Sequence, residues 1–335
     1  MARILTTVVG SYPVPSWLRQ ARTREALRDA TLAVLKTQEN AGIDVISDGE
    51  LSRFDVNHPE TNGMIDYFLG PMQGVDTRPT RRDREDFQRG AIADYRLEPA
   101  AVVRGPLGEG SLDLPGDWER VRGLTSRQLK FTCTGPHMLA KLCLDQHYRD
   151  LPRLAMEIAE VLRGQLAAID ASIVQIDEAN IPGSPGEGGW AAQAINHLLS
   201  AVRGEKAVHV CFGNYAGQTV QEGHWSRLLE FLNSLDAGHL VLECARRPGE
   251  EVRALKDIRQ ETGLGIGVID VKDLEIETPD EVASRIERIA SWVGGESRIR
   301  FVHPDCGFWM LPRSVVDRKM EALVRGRDLF LAPGH

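Results

Sequence analysis

The chain has 335 residues, 42% of them hydrophobic and 26% charged, with 40 Lys and Arg against 48 Asp and Glu for a formal net charge of −8. This is globular composition with ample material for a core, and it argues against nucleic acid or a membrane surface as partner. The one conspicuous basic run, "RPTRRDRED" from Arg78 to Asp86, is interleaved with acids and reads as a solvated loop.

No apolar run reaches the length of a membrane span, and "MARILTTVVGSYP" lacks the extended apolar region of a signal peptide. The five cysteines, Cys133, Cys143, Cys211, Cys244 and Cys306, are too few and too scattered for a disulfide framework. A reducing, cytoplasmic setting with thiols free for metal or catalysis is the expectation.

Strand-like and helix-like runs alternate along the chain. The first strand candidates are "TTVVGSYP" from Thr6 and "DVISDGE" from Asp44. Between them Leu27, Ala30, Val34 and Ala41 form an apolar helical stripe that stops at Gly42. From about residue 70 to 126 the rhythm breaks into Arg, Asp, Gly and Pro with one extra strand candidate, "AAVVRGP", which reads as an insertion between strands 2 and 3. Then come "LKFTCTGP" from Leu129, a helical stripe of Leu154, Ile158, Val161, Leu162 and Ile169, and "SIVQIDE" from Ser172. "AVHVCFGN" from Ala207, "HLVLECA" from His239 and "GIGVIDVK" from Gly265 follow. "TPDEVASRIERIASWV" carries a full helix-start signal: Thr278 as N-cap, Pro279 at the first helical position and Glu281 closing a capping box. "RIRFVHPDCG" from Arg298 is the last strand candidate.

Eight strand–helix units predict one (β/α)₈ TIM barrel over residues 1–335, with a doubly wound sheet as runner-up. In such a barrel the functional residues gather where strands end. Here those ends carry Gly10-Ser11, Asp48-Gly49-Glu50, Asp177-Glu178, His209 and Cys211, Glu243, and Cys306. Carboxylates at apolar strand ends are costly unless paired or bound to a cation. A His-x-Cys pair in a strand is more often packing than ligation. Taken with Glu243 and Cys306 at neighbouring strand ends, however, His209 and Cys211 make a tetrahedral zinc set, and soft sulfur with imidazole favours Zn²⁺ over Mg²⁺ or Ca²⁺.

The segments "VVGSYP", "SDGE", "CTGP", "VQIDE", "HVCFGN", "LVLEC" and "HPDCG" resemble, in the same order, motifs of the C-terminal catalytic barrel of cobalamin-independent methionine synthase. The resemblance spans about residues 5 to 330, and a chain of this length corresponds to a single-barrel core form. It implies that His209, Cys211, Glu243 and Cys306 bind one Zn²⁺ ion, and that Ser11, Glu50 and Asp177 hold the amino-acid end of homocysteine. Two carboxylates suit an ammonium, and a Gly-Ser turn offers N–H and O–H groups to a carboxylate. The implied chemistry is activation of a thiol for alkyl transfer, with homocysteine giving methionine.

The chain departs from the family where the donor binds. Lys272, in "IDVKDLEIE", stands where the family has a His in "D-x-H-S", and it suits either a cation role in the chemistry or a salt bridge with Asp270 or Asp273. "DEANI" replaces "DEPAL", Gly183 replaces a Glu, and "MLAKLCLD" lacks the folate-stacking Trp. These departures leave the zinc and thiol sites intact and predict a donor other than folate, such as a corrinoid. Epoxide opening by a sulfonated thiol, as in the related epoxyalkane–coenzyme M transferases, is the alternative. A non-catalytic corrinoid or porphyrin-type binder is a third reading, against which retention of all four ligands argues. No residue is assigned as catalytic.

Overall fold

The computed structural model describes residues 4–54, 63–90, 97–214, 219 and 221–332. Its strands are β1 (Leu5–Thr6), β2 (Val45–Ile46), β3 (Gln73–Asp76), β4 (Ala101–Gly108), β5 (Gln128–Thr134) and β6 (Cys143–Asp145). They continue as β7 (Ile173–Glu178), β8 (Glu205–Val210), β9 (His239–Leu242), β10 (Gly263–Ile269) and β11 (Ile299–Pro304). Eight of these form one parallel sheet in the order β1-β11-β10-β9-β8-β7-β5-β2. A parallel bridge from Thr7 to Val45 joins its two edges. The sheet is therefore a closed (β/α)₈ barrel; a doubly wound sheet would keep two open edges.

The alternation of strand side chains explains both the core and the site. On β7, β8, β9 and β11, Ile173, Ala207, Val241 and Phe301 pack together inside the barrel with Val9 and Val45. Their neighbours Val174, Val208, Leu240 and Val302 belong to the larger core between strands and helices. Counting on by twos from the inner set reaches Gln175 and Asp177, His209 and Cys211, Glu243, and His303. The inner row thus turns from apolar to polar toward the C-terminal mouth. Cys244 falls on the other face and lies in the outer core.

The predicted first and second strands shrink to two residues each, because "GSYP" and "SDGE" are used as loops over the mouth. The insertion contains more than its one predicted strand. β3 and β4 pair antiparallel, and β6, from beyond residue 126, joins β4 in parallel, making a separate three-stranded sheet. Residues 91–96 of the predicted insertion lie outside the described residues. Among the described residues no helix is long and apolar enough to cross a membrane.

The helices follow their sequence signals. Arg24–Ala41 is capped by Thr23 and ends on Gly42 in the left-handed region, φ 86°. Pro279–Val293 carries the full capping box between Thr278 and Glu281, and buries Val282, Ile286, Ile289 and Val293. Thr278→Ala removes the side-chain acceptor for the Glu281 N–H, and it is expected to lower the unfolding free energy by about 1 kcal/mol in urea titrations, with Thr278→Ser nearly neutral.

Candidate active site at the barrel mouth

Three ligand atoms converge at the mouth. One from each of His209, Cys211 and Cys306 lies within 4.8 Å of the other two, and no other such group of three occurs among the described residues. β8 supplies His209, Cys211 follows it, and Cys306 lies on the loop after β11. The donor set fits zinc by two observations. The Cys211 and Cys306 sulfurs are 3.7 Å apart. Two sulfurs each about 2.3 Å from a tetrahedral zinc lie about 3.8 Å from one another. The His209 Nδ1 bonds the Val241 carbonyl at 2.9 Å, which fixes the tautomer and leaves the Nε2 lone pair free. That buried Nε2 has no hydrogen-bond partner. Between the two thiols the charge is uneven: the Cys211 thiol, beside Cys306, is pushed well up, and Cys306, facing Cys211 and the His209 imidazole, is held well down.

Glu243 follows β9 and is buried on the same inner face, but it lies outside that three-atom group. Its Oε1 accepts from Lys272 Nζ at 2.7 Å and its Oε2 from the Phe212 N–H at 3.1 Å. The sequence allows Lys272 two roles, a cation in the chemistry or a salt bridge with Asp270 or Asp273, and the structure shows no salt bridge to either aspartate. Instead its backbone N–H bonds Asp270 Oδ1 at 2.8 Å, and its side chain goes to Glu243. Asp270 pairs with Arg246 at 3.1 Å, and Lys319 lies 4.0 Å from Asp273.

The second cluster adjoins the first through the sheet register, which sets Asp177 of β7 beside His209 of β8. Asp177 Oδ1 accepts from Gln175 Nε2 at 2.6 Å. Glu50 reaches the cluster from the loop after β2 in a strained backbone, φ 58°, held by a bond from its N–H to Asp48 Oδ1 at 2.9 Å. A Cβ on Gly10 would sit 2.1 Å from Glu50 Oε1, so only glycine leaves the carboxylate room. Thr132 donates to Oε1 at 2.6 Å, while Oε2 is buried without a partner. Ser11, Glu50, Arg53, Phe54, Met64 and Trp309 line a cavity there. Ser11 is tied to the Cys306 loop, since the Phe308 N–H donates to its carbonyl at 2.9 Å.

Sequence reasoning missed four participants. Arg53 lies 3.5 Å from Glu50 Oε1, bonds the Thr132 carbonyl, and has a buried Nη1 with no hydrogen-bond partner. Its guanidinium stacks over Phe68 at 5.2 Å, and its position three residues after Glu50 was the available signal. Lys130, a lysine inside the apolar run "LKFTCT", bonds Gln175 Oε1 at 2.6 Å, and burial pulls its ammonium down to about 8. Trp309 completes the cavity wall. Trp190, from the helix Gly188–Leu199, brings its ring within 4.8 Å of His137, so an aromatic ring does reach the stretch after "TGP" from elsewhere in the chain.

His137 itself is buried between Glu178 Oε1 at 3.0 Å and Glu187 Oε2 at 2.8 Å. Burial pulls its imidazole down, but the two carboxylates outweigh it and hold the group up at about 9. Lys141 pairs with the same Glu187 at 3.0 Å, so two cations meet two carboxylates in an internally balanced network, not an open site.

The chain matches the family described as the cobalamin-independent synthase catalytic domain over residues 4–326. It is 29% identical to a methionine synthase of Thermococcus kodakarensis, covering 97% of this chain and 92% of that protein. A methionine synthase of Sulfurisphaera tokodaii is 28% identical, over 97% and 91%. Among solved structures, a B12-independent methionine synthase from Shewanella sp. W3-18-1, in complex with selenomethionine, superposes with a TM-score of 0.81 at 25% identity over 98% of both chains.

Burial first, and Asp177 beside it, push the Glu50 carboxyl up to about 7 against the pull of Arg53. In the unfolded chain it ionises near about 4.3. Between these values the folded state holds the extra proton, so its contribution to stability falls as pH rises. Glu50→Gln removes this slope. In urea unfolding at pH 5 and pH 8, the variant is expected to gain on the parent at the higher pH by about 2 kcal/mol. A gap that does not change with pH would show that Glu50 is already ionised at pH 5.

Proposed function

The chain belongs to the cobalamin-independent synthase catalytic domain family, and from that premise we propose that it is a zinc-dependent transferase that methylates the thiol of homocysteine to give methionine. The observation that carries this reading is the adjacency of the two clusters. Two thiols and a free imidazole lone pair lie one strand from a buried carboxylate pair and its cavity. His209, Cys211 and Cys306 would hold the zinc, with Glu243 as the fourth member of the set. Bound zinc supplies one thing: it lowers the pKa of a thiol so that the sulfur is presented as thiolate at neutral pH.

The chain's own residues do the rest. Glu50 Oε2, with Asp177 close by, receives the ammonium of the amino acid. Arg53 Nη1 and the Ser11 turn receive its carboxylate. Glu50 and Asp177 against Arg53 and Lys130 sum to no net charge when all four are ionised, which suits a zwitterion. The deep burial of these groups strengthens each contact and keeps water from the sulfur. The selenomethionine bound to the Shewanella relative is a selenium analogue of the proposed product.

Epoxide opening with a sulfonated thiol is less well supported, because the Lys272 charge it would use is taken by Glu243. For the donor, Lys272 in the place of the family's His argues against folate. The relatives' names give a corrinoid no support, and it enters as one arm of the assay.

Purified protein is expected to carry about one zinc per chain by elemental analysis. Cys211→Ser and Cys306→Ser should lose most of it, and Cys244→Ser should keep it. Added homocysteine should contribute one more sulfur at the zinc absorption edge. It should also bind more tightly than its des-amino analogue by about 2–4 kcal/mol. Methyl transfer from methyltetrahydrofolate triglutamate should be slow beside transfer from methylcobalamin; fast folate turnover would restore the ordinary donor. Zinc retained in both cysteine variants would remove the metal reading.

A further inference from the structure

We propose that Lys130 and Gln175 are positioning residues: they fix the Asp177 carboxylate for the ammonium of an amino-acid ligand, and so let the site discriminate an amino acid from its des-amino analogue. This rests on the amino-acid reading above and involves no metal. Lys130 lies on the inner face of β5, level in the register with Ile173 of the apolar layer. Its neighbours Leu129 and Phe131 belong to the outer core. A lysine only 4% exposed in such a layer is costly unless its ammonium is satisfied. The Lys130 Nζ rises to the next layer, where it donates to the Val8 carbonyl and, at 2.6 Å, to Gln175 Oε1.

An ammonium has donors only, so the Gln175 amide has to turn its oxygen toward Lys130. Its NH₂ group then faces the other way, donating to Asp177 Oδ1 at 2.6 Å and to the Val9 carbonyl at 2.9 Å. The amide oxygen and both amide hydrogens are thereby used. Reversed, the amide would set its oxygen against a carboxylate oxygen and a carbonyl oxygen. The relay also has a fixed base, since the Thr7 N–H just before Val8 and Val9 bonds the Val302 carbonyl at 3.0 Å. Burial pulls the Lys130 ammonium down to about 8 against the pull of Asp177 and Glu50, so at neutral pH it is still the charged donor that this orientation requires.

Lys130 can act on a bound ammonium in two ways, and their signs are opposite. As a nearby charge it repels the ligand. As the group that orients Gln175 it holds Asp177 where the carboxylate attracts the ligand. Gln175 links Lys130 to Asp177, and a misplaced carboxylate forfeits a charge-assisted hydrogen bond, so positioning outweighs repulsion. The relay holds geometry; it moves no proton and makes or breaks no covalent bond.

The test uses the whole protein as purified. The probe is methionine, whose sulfur has no proton to lose, and the control is its des-amino analogue methylthiobutanoate. Calorimetry at neutral pH reads both affinities for the parent, Lys130→Met, Gln175→Met and the double variant, and Tm reads folding. Each single variant should bind methionine about tenfold more weakly and bind the analogue within about twofold of the parent. Because the two residues act as one relay, the double variant should lose no more than about twofold beyond either single variant. Tighter methionine binding by Lys130→Met would show that the lysine acts only as an opposing charge, and the proposal falls. It falls too if both ligands weaken equally, which marks a merely structural role, or if the losses multiply in the double variant. A parent with no preference for methionine over the analogue overturns the amino-acid reading and this assignment together. A parent with that preference, and variants that keep it, overturn this assignment alone. Should Lys130→Met not fold, Gln175→Met decides the matter by the same comparison of the two ligands.

Discussion

The arrangement at the mouth depends on one seam, the closure of the sheet between its first and last strands. β1 and β2 are two residues long and contribute little ladder of their own. The seam is reinforced by side chains. The Thr7 hydroxyl donates to the Val45 carbonyl at 2.8 Å, and the Asp44 carboxylate accepts from the Thr6 N–H at 2.8 Å and from Arg327 at 2.6 Å. Burial works against the ionised Asp44, but these bonds hold it below the usual carboxylate range. Arg327 also bonds the Ile4 carbonyl at 2.9 Å, so the last helix is tied into the same joint. An open sheet would put the loop bearing Ser11 and the loop bearing Glu50 at opposite edges. Closure places them side by side, where the Tyr12 N–H bonds the Gly49 carbonyl at 3.0 Å.

The closed barrel then has to solve a charge problem. Its interior begins as an apolar layer and ends in carboxylates, thiols and cations shielded from water. Each such group is expensive alone, and the structure answers by pairing them locally. Glu50 meets Arg53 and Thr132, Asp177 meets Gln175, and Glu243 meets Lys272. What is left over is chemically informative. Among the buried polar atoms of the described residues that lack a hydrogen-bond partner are the Glu50 Oε2, the Arg53 Nη1 and the His209 Nε2. They are an acceptor for a cation, a donor for an anion and a lone pair for a metal, and all three lie at the mouth.

The replacement of the family's histidine by Lys272 takes on a specific meaning in this setting. A lysine in that loop is close in sequence to two aspartates, so a local salt bridge stood beside a cation role in the chemistry as its two readings. Both aspartates find other partners, Asp270 through Arg246 and Asp273 toward Lys319. The lysine turns inward to the carboxylate of a candidate metal ligand instead. The lysine therefore sets a buried cation against the carboxylate beside the three gathered donor atoms.

The barrel was legible in the sequence because its strands are buried on both faces and read as short Val- and Ile-rich runs, while Thr278-Pro279 and Gly42 mark helix ends through local chemistry. The inner face of each strand was legible too. A period of two is a property of the extended backbone, so His209 with Cys211, and Glu243 apart from Cys244, could be assigned from one strand alone. What the sequence left undecided were relations between distant segments. Nothing local links Arg53 to Thr132, Lys130 to Gln175, or Trp190 to His137. β6 leaves its own neighbourhood to pair with β4, which no period within "CLD" announces. The partner of Lys272 is the clearest case. By sequence the nearest acids were two residues back and one ahead, and only the three-dimensional packing of the loop after β10 against the end of β9 made Glu243 the nearer one. Local sequence determines backbone conformation and which face a side chain takes, because those energies act within a few residues. The pairing of buried charges is decided by the closure of the barrel, because it depends on distances that exist only once strand ends far apart in the chain share one dry interior.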